Sequence, residues 1–255
     1  MTVYATARAD VYAEMSAPVT AFDGRKIASV AANFALPPTV MAPTPMPYPL
    51  LGENDVVRLI CSPLPPAAAA LSRRIGEEIA AIFDSEAATK TYVNTEASMH
   101  VTLFHTSHPD ACLPFSPALR AEEVQTLKAL ISSTPAFELT IHSVILAASG
   151  TVLLLFDDPT NAVQHLRSRA KATFGSALRH PNHIIHSTLS RVLTDTVSPA
   201  CLAAAAARCQ QLTAELAAQT VAIESIWYVE ETHFYSAGSG QHEKITFGTA
   251  LASVQ

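Results

Sequence analysis

Basic residues are scarce in this sequence. The 255-residue chain carries 16 Lys and Arg against 22 Asp and Glu, a formal net charge of −6. Long nucleic acid is held mainly through its phosphates, by Lys and Arg that displace condensed counterions. That balance excludes long nucleic acid as a partner, but not a short nucleotide or the tip of an RNA. Cysteine is sparse too. Cys61, Cys112, Cys201 and Cys209 form no C-x-x-C pair, so no disulfide framework is expected and a reduced compartment is. No apolar run approaches the ~20 residues of a membrane span. The longest, "VILAASGTVLLLF" at 144–156, breaks at Ser149-Gly150 like a hairpin turn. The N-terminus lacks the charged start and apolar block of a secretory signal. A cytoplasmic protein without a membrane partner is the expectation. Arg8, Arg25 and Lys26 among small residues leave organellar targeting open, while Asp10, Glu14 and Asp23 count against it.

What the chain has is apolar material, 49% of its residues with only 15% charged, enough for one large domain. It also has a proline cluster. Residues 37–49, "PPTVMAPTPMPYP", are almost half proline, so they lack donors and favour extended polyproline structure. They read as a linker or a surface strap. The chain then divides into an N-terminal extension, residues 1–53, and a main domain, residues 54–255. In the main domain "VVRLICS" (56–62) reads as a strand. "AAAALSRRIGEEIAAIF" (67–83) reads as a helix, with Leu71, Ile75, Ile79 and Ile82 on one stripe. Further helices are expected near 121–131, over about 160–174 and over 199–218. "FELTIHSVIL" and "TVLLLFD" form a strand pair, as do "QTVAIESIWYVEE" and "EKITFGTAL".

Two short strands carry chemistry. In "SMHVTLFH" (98–105) Met99, Val101 and Leu103 are apolar at alternate positions, so the other face presents His100, Thr102 and Phe104. "IIHSTLSRV" (184–192) repeats the spacing as His186 and Thr188. The surroundings repeat as well: each half has a strand, a proline at its end, a helix, the histidine strand and another helix. Residues at i and i+2 of a strand share a face, so two facing copies place four polar side chains around one cleft. That set suits a phosphodiester. A neutral imidazole takes a proton from the attacking oxygen, and a protonated one gives a proton to the leaving oxygen. The threonine hydroxyls donate to the non-bridging oxygens. The scheme needs no cofactor and no metal.

One H-x-T is a weak signal; two copies on strands, each followed by Leu, are a strong one. "HVTLF" and "HSTLSR" resemble the two-histidine (2H) phosphoesterase superfamily, which includes 2′-5′ RNA ligase-like proteins and cyclic nucleotide phosphodiesterases. The resemblance covers roughly residues 55–251. It implies an α+β, bilobal fold with two antiparallel-rich sheets, outer helices, pseudo-twofold symmetry and a central cleft. It implies that His100 and His186 are catalytic, with Thr102 and Thr188 as phosphate ligands. The family's substrates are 2′,3′-cyclic nucleotides, ADP-ribose cyclic phosphate, 2′-5′ oligonucleotides and RNA 3′ ends.

The remaining candidates are read from position. Phe104, on the face of His100, and Tyr235, in the "HFYSAGSG" turn, are candidate walls for a base or sugar. By strict alternation His105 points away from His100. Arg191 lies opposite His186 and braces the strand, unless a bulge turns it inward. His180, His183 and His186 recur at three-residue intervals, a spacing that fits no closed zinc site. Arg73-Arg74 and Arg167 to Lys171 read as solvated helix faces. The favoured function is a metal-independent phosphodiesterase on a small cyclic nucleotide or related cyclic phosphate, in a monomer. The alternatives are an enzyme of RNA 3′ ends or 2′-5′ linkages, and a non-catalytic nucleotide-binding scaffold.

Overall fold

The computed structural model describes residues 3–36, 42–50, 52–86, 89–175, 178–180, 183–235, 237–238 and 240–248. Five residues of the proline cluster, 37–41, and Pro181 fall outside them. The architecture is α+β, with two five-stranded antiparallel sheets facing each other as two lobes.

The first lobe is built around β3 (Asp55–Pro63), which pairs antiparallel with β5 (His100–Ser107), with the short β6 (Leu113–Pro114) and with β11 (Ser225–Glu231). β12 (Gln241–Thr246) closes the far edge on β11. The second lobe has the order β10-β7-β8-β9-β4. Here β7 (Phe137–Leu146) and β8 (Thr151–Asp157) are the expected hairpin. Their neighbours are β10 (Thr220–Ile223), β9 (His186–Val192) and β4 (Thr91–Val93). "QTVAIESIWYVEE" is therefore not one strand. It divides at Glu224, its first part completing the second lobe and its second part the first.

The helices exchange lobes. α3 (Pro66–Asp84) leaves β3 of the first sheet and packs against β9 of the second. α5 (Ala162–Phe174) leaves β8 of the second sheet and packs against β5 of the first. Proline at the first turn, where no N–H is needed, starts α3, α4 (Pro117–Ser132) and α6 (Pro199–Leu216). The apolar stripe of α3 buries Ile75, Ile79 and Phe83 in one core that runs through both lobes. At Gly76 an added Cβ would stand 2.9 Å from the Leu189 carbonyl oxygen, so α3 approaches β9 more closely than any side chain permits.

The N-terminal segment is folded onto this body. α1 (Val3–Met15) docks on the second lobe: the Tyr12 hydroxyl donates to the Phe156 carbonyl at 2.8 Å and accepts from the Ile185 N–H at 2.9 Å. α2 (Gly24–Ala31) starts at Asp23, whose carboxylate caps it and whose N–H donates to Ala148 at 2.8 Å. A two-residue pairing of β1 (Phe34–Ala35) with β2 (Thr44–Pro45) follows.

Candidate functional site

Between the lobes lies a cavity of about 320 Å³ lined by His100, Thr102, His186 and Thr188. The two H-x-T faces, at opposite ends of the sequence repeat, meet in one space. His100 and Thr102 come from the edge strand β5 of the first sheet, and His186 and Thr188 from β9 of the second.

Both strands break alternation at the same place. On β5, Thr102 faces Cys61 while Phe104 faces Ile60, so Leu103 is an extra residue. On β9, Thr188 faces Leu153 while Ser190 faces Val152, so Leu189 is extra. Each is a β-bulge, which shifts the face of every residue beyond it by one. His105 and Arg191, five residues after their motif histidines, therefore turn into the cavity. Phe104 turns out of it. It is fully buried in the core, its ring 6.2 Å from that of Phe174, and it walls no substrate. Strict alternation failed for Phe104 and His105 because it assumed an unbroken ladder.

The carbonyls at the bulges are held by side chains remote in sequence. Arg167, on α5, donates from Nε to Leu103 at 2.9 Å and from Nη2 to Thr102 at 2.9 Å, and from Nη1 to Ile184 at 3.0 Å. It is 1% exposed, not part of a solvated face. Burial lowers its pKa to about 10, so it stays charged at neutral pH. Asn94, just after β4, serves the other bulge. Its side-chain amide donates to Thr188 at 2.7 Å and its backbone N–H to Leu189 at 2.9 Å. Its Oδ1 is buried without a partner, and the residue lines the cavity.

The imidazoles are distinguishable. His100 Nδ1 lies 2.7 Å from the Ser98 carbonyl oxygen, so Nδ1–H donates there and Nε2 is left as the free nitrogen. Burial lowers the His100 pKa, and that hydrogen bond opposes the shift. The His186 pKa is lowered to about 3, by burial first and then by the charges of Arg167, His100 and Arg191. His105 is also lowered to about 3, by burial and by His108 and His100. Glu231, 5% exposed on the same wall, is raised to about 7 by burial, while the Tyr48 hydroxyl donates to it at 3.2 Å.

Arg191 is 9% exposed and its guanidinium carbon sits 3.8 Å from the centroid of the Tyr235 ring. Nη1 donates to Thr151 Oγ1 at 3.1 Å, and Nε has no partner. Tyr235 does line the cavity, but its ring is taken up by Arg191 and by Phe34, which stacks on it at 5.4 Å. Sequence reasoning missed Asn33, Tyr48, Asn94 and Glu231, all cavity residues. No local signal marks these four; the one available, a polar residue five positions after each motif histidine, points to His105 and Arg191. Among the described residues no three His, Cys, Asp or Glu side chains form a metal-binding group. All four cysteines are free thiols.

Residues 65–234 match the family model described as the 2′-5′ RNA ligase superfamily. No curated protein sequence matches the chain. Among solved structures the chain is similar to Escherichia coli LigT complexed with phosphate, at 16% identity over 78% of this chain and 100% of that one, with a TM-score of 0.45. It is similar to TT0787 of Thermus thermophilus, at 12% identity over 76% and 98%, with a TM-score of 0.49. Usb1 of Kluyveromyces marxianus is similar at 7% identity over 76% and 98%, with a TM-score of 0.45.

Proposed function

The chain belongs to the 2′-5′ RNA ligase superfamily, and from that premise we propose that it is a metal-independent phosphodiesterase opening a 2′,3′-cyclic nucleotide or related cyclic phosphate. The observation that carries this reading is the convergence of both H-x-T pairs and the Arg191 side chain on one cavity. Thr102 and Thr188 donate to the non-bridging oxygens, and Arg191 supplies the matching charge.

The two histidines take different roles. His100 donates Nδ1–H to a carbonyl, an arrangement that supports the imidazolium, so it is the acid. His186 sits in the field of Arg167 and Arg191, which favours its neutral form, so it is the base. His186 removes a proton from water as the water oxygen bonds to phosphorus. The bond from phosphorus to one ribose oxygen breaks, and that oxygen takes the proton from His100 Nε2. The product is a nucleoside monophosphate, and a second proton transfer resets the pair.

A volume of about 320 Å³ is at the small end of the ~300–1,000 Å³ typical of small-molecule sites. It favours a single nucleotide over a strand of RNA, as does the net charge of −6. The catalytic domain starts near residue 54, with the first 53 residues as an extension, and the working unit is a monomer in the cytoplasm. The test is hydrolysis by purified protein in EDTA of the four 2′,3′-cyclic nucleotides, ADP-ribose cyclic phosphate and 2′-5′ dinucleotides. Turnover of a cyclic phosphate supports the reading. Cleavage of the dinucleotides alone moves the protein to RNA linkages, and binding without turnover makes it a scaffold.

A further inference from the structure

The residues before 65 lie outside the family match, yet Asn33 and Tyr48 stand on the cavity wall. The segment that carries them spans both lobes. α1 and α2 grip the second lobe, as described above. The chain then crosses to the first, where it lies beside the loop that follows β11. Tyr48 N–H donates to the Thr232 carbonyl at 3.1 Å, and Phe234 N–H donates to the Met46 carbonyl at 3.0 Å. Pro47 and His233 pair between these bonds. The strap is thus an added strand on residues 232–234, the residues that lead into Tyr235.

Tyr235 is held in the left-handed backbone region, at φ 55, which non-glycine residues seldom adopt without outside support. That support comes from the N-terminal segment. Asn33 Nδ2 donates to the Tyr235 hydroxyl at 2.8 Å. The Phe34 ring lies 18° from parallel to the Tyr235 ring and is itself backed by Tyr92 at 4.9 Å. The Tyr235 ring in turn carries the Arg191 guanidinium at 3.8 Å. A continuous run of ring contacts, Tyr92–Phe34–Tyr235–Arg191, therefore joins the extension to the buried cation of the site.

We propose that the N-terminal extension is a positioning element for the anion site: Asn33 and Phe34 fix Tyr235, and Tyr235 fixes the Arg191 guanidinium on the cavity wall beside bound phosphate. The proposal rests on reading the cavity as a phosphate site. Arginine loses much rotamer freedom when it is ordered. A stack that orders it beforehand removes that cost from the binding step.

The test uses the full chain and inorganic phosphate, with affinity read by phosphorus NMR. Phe34→Ala, Asn33→Ala and Tyr235→Phe are each made in the wild type and in an Arg191→Gln background. Phe34→Ala is expected to weaken phosphate binding by on the order of 10-fold, the scale of a desolvated cation–π contact. Asn33→Ala and Tyr235→Phe should each weaken it by roughly 3-fold, the scale of one neutral hydrogen bond. Their combination should be no worse than either alone, because both remove the same bond. In the Arg191→Gln background none of the three should matter further, which a merely structural role would not produce. For any turnover, KM should rise more than kcat falls. Wild-type affinity in the folded variants, or losses that add in full to that of Arg191→Gln, would overturn the proposal. If Phe34→Ala does not fold, Asn33→Ala and Tyr235→Phe decide the question alone. Failure of the wild type to bind phosphate would remove the phosphate site itself and the positioning role with it.

Discussion

At the scale of single residues, the resting cleft holds its histidines neutral at pH 7, because burial depresses His100 and sets His186 near 3. Acid/base catalysis requires one of them charged. A bound phosphate supplies the missing counter-charge and raises their pKa values, so binding should draw in a proton. Calorimetry of binding of sulfate, an oxyanion that stays fully ionised, near pH 6 in buffers of different ionisation enthalpy should show uptake of up to about one proton. Affinity should strengthen as pH falls from 7. Release of a proton, or none exchanged, would contradict this electrostatic account. The threonines give a second expectation. A hydrogen bond to a charged group contributes about 1.5–3 kcal/mol, so Thr102→Val or Thr188→Val should cost roughly 10- to 100-fold in phosphate affinity or kcat/KM with the fold intact. His100, Thr102, His186 and Thr188 were legible in sequence because an i, i+2 pair on a short strand keeps its face. His105 and Phe104 were not, because a bulge lies between them and the motif.

At the scale of elements, the bulges depend on partners remote in sequence. Arg167 holds three carbonyls, those of Thr102, Leu103 and Ile184, so it ties β5 to the chain entering β9. Arg167→Met would leave those acceptors buried and unpaired, at about 1–3 kcal/mol each before relaxation. Urea unfolding should show a loss on the order of 3 kcal/mol, with activity reduced in the protein that remains folded. Gly76→Ala would place a methyl group 2.9 Å from the Leu189 oxygen; overpacking of this kind costs about 1–3 kcal/mol. An unchanged urea midpoint in either variant would mean that the bulge is not held as described. Helix periodicity placed α3 within a residue at each end, and the β7–β8 pair was legible from its turn. The division at Glu224 was not, since both halves of that segment are strand-like and only pairing assigns them to different sheets. Arg167 read as a surface residue because its acceptors lie 64 and 65 positions away in the chain.

At the scale of the molecule, the buried titratable groups set a pH profile for stability. His105 and His186 have folded pKa values near 3 against a reference of 6.5. Their contribution is fully present above 6.5 and is lost as pH falls toward 3. Glu231 is opposite in sign: raised to about 7 from 4.5, it contributes most below 4.5 and loses that as pH rises through 7. The histidines outnumber it, so the unfolding free energy should fall on acidification from pH 6.5 to 4, by up to ~1.4 kcal/mol per pH unit for each histidine, and the melting temperature with it. His105→Gln should flatten that acid limb, and Glu231→Gln, which removes the opposing contribution, should steepen it between pH 5 and 6.5; profiles parallel to the wild type would refute the assignment. The two-lobed body was legible from its internal repeat. The N-terminal segment showed only as a proline cluster, because its contacts with Tyr235, Thr232 and Phe156 are long-range and leave no local periodicity.

The central claim is that His100 and His186 act as an acid/base pair on a phosphodiester. It is tested most directly by single-turnover hydrolysis of a 2′,3′-cyclic nucleotide in EDTA by the wild type, His100→Ala, His186→Ala and the double variant, each checked for folding. Each single change should cost about 10²–10⁴-fold, and the double far less than the product, since groups acting as one unit are not additive. A folded single variant with undiminished turnover, or a wild type silenced by EDTA, would contradict it.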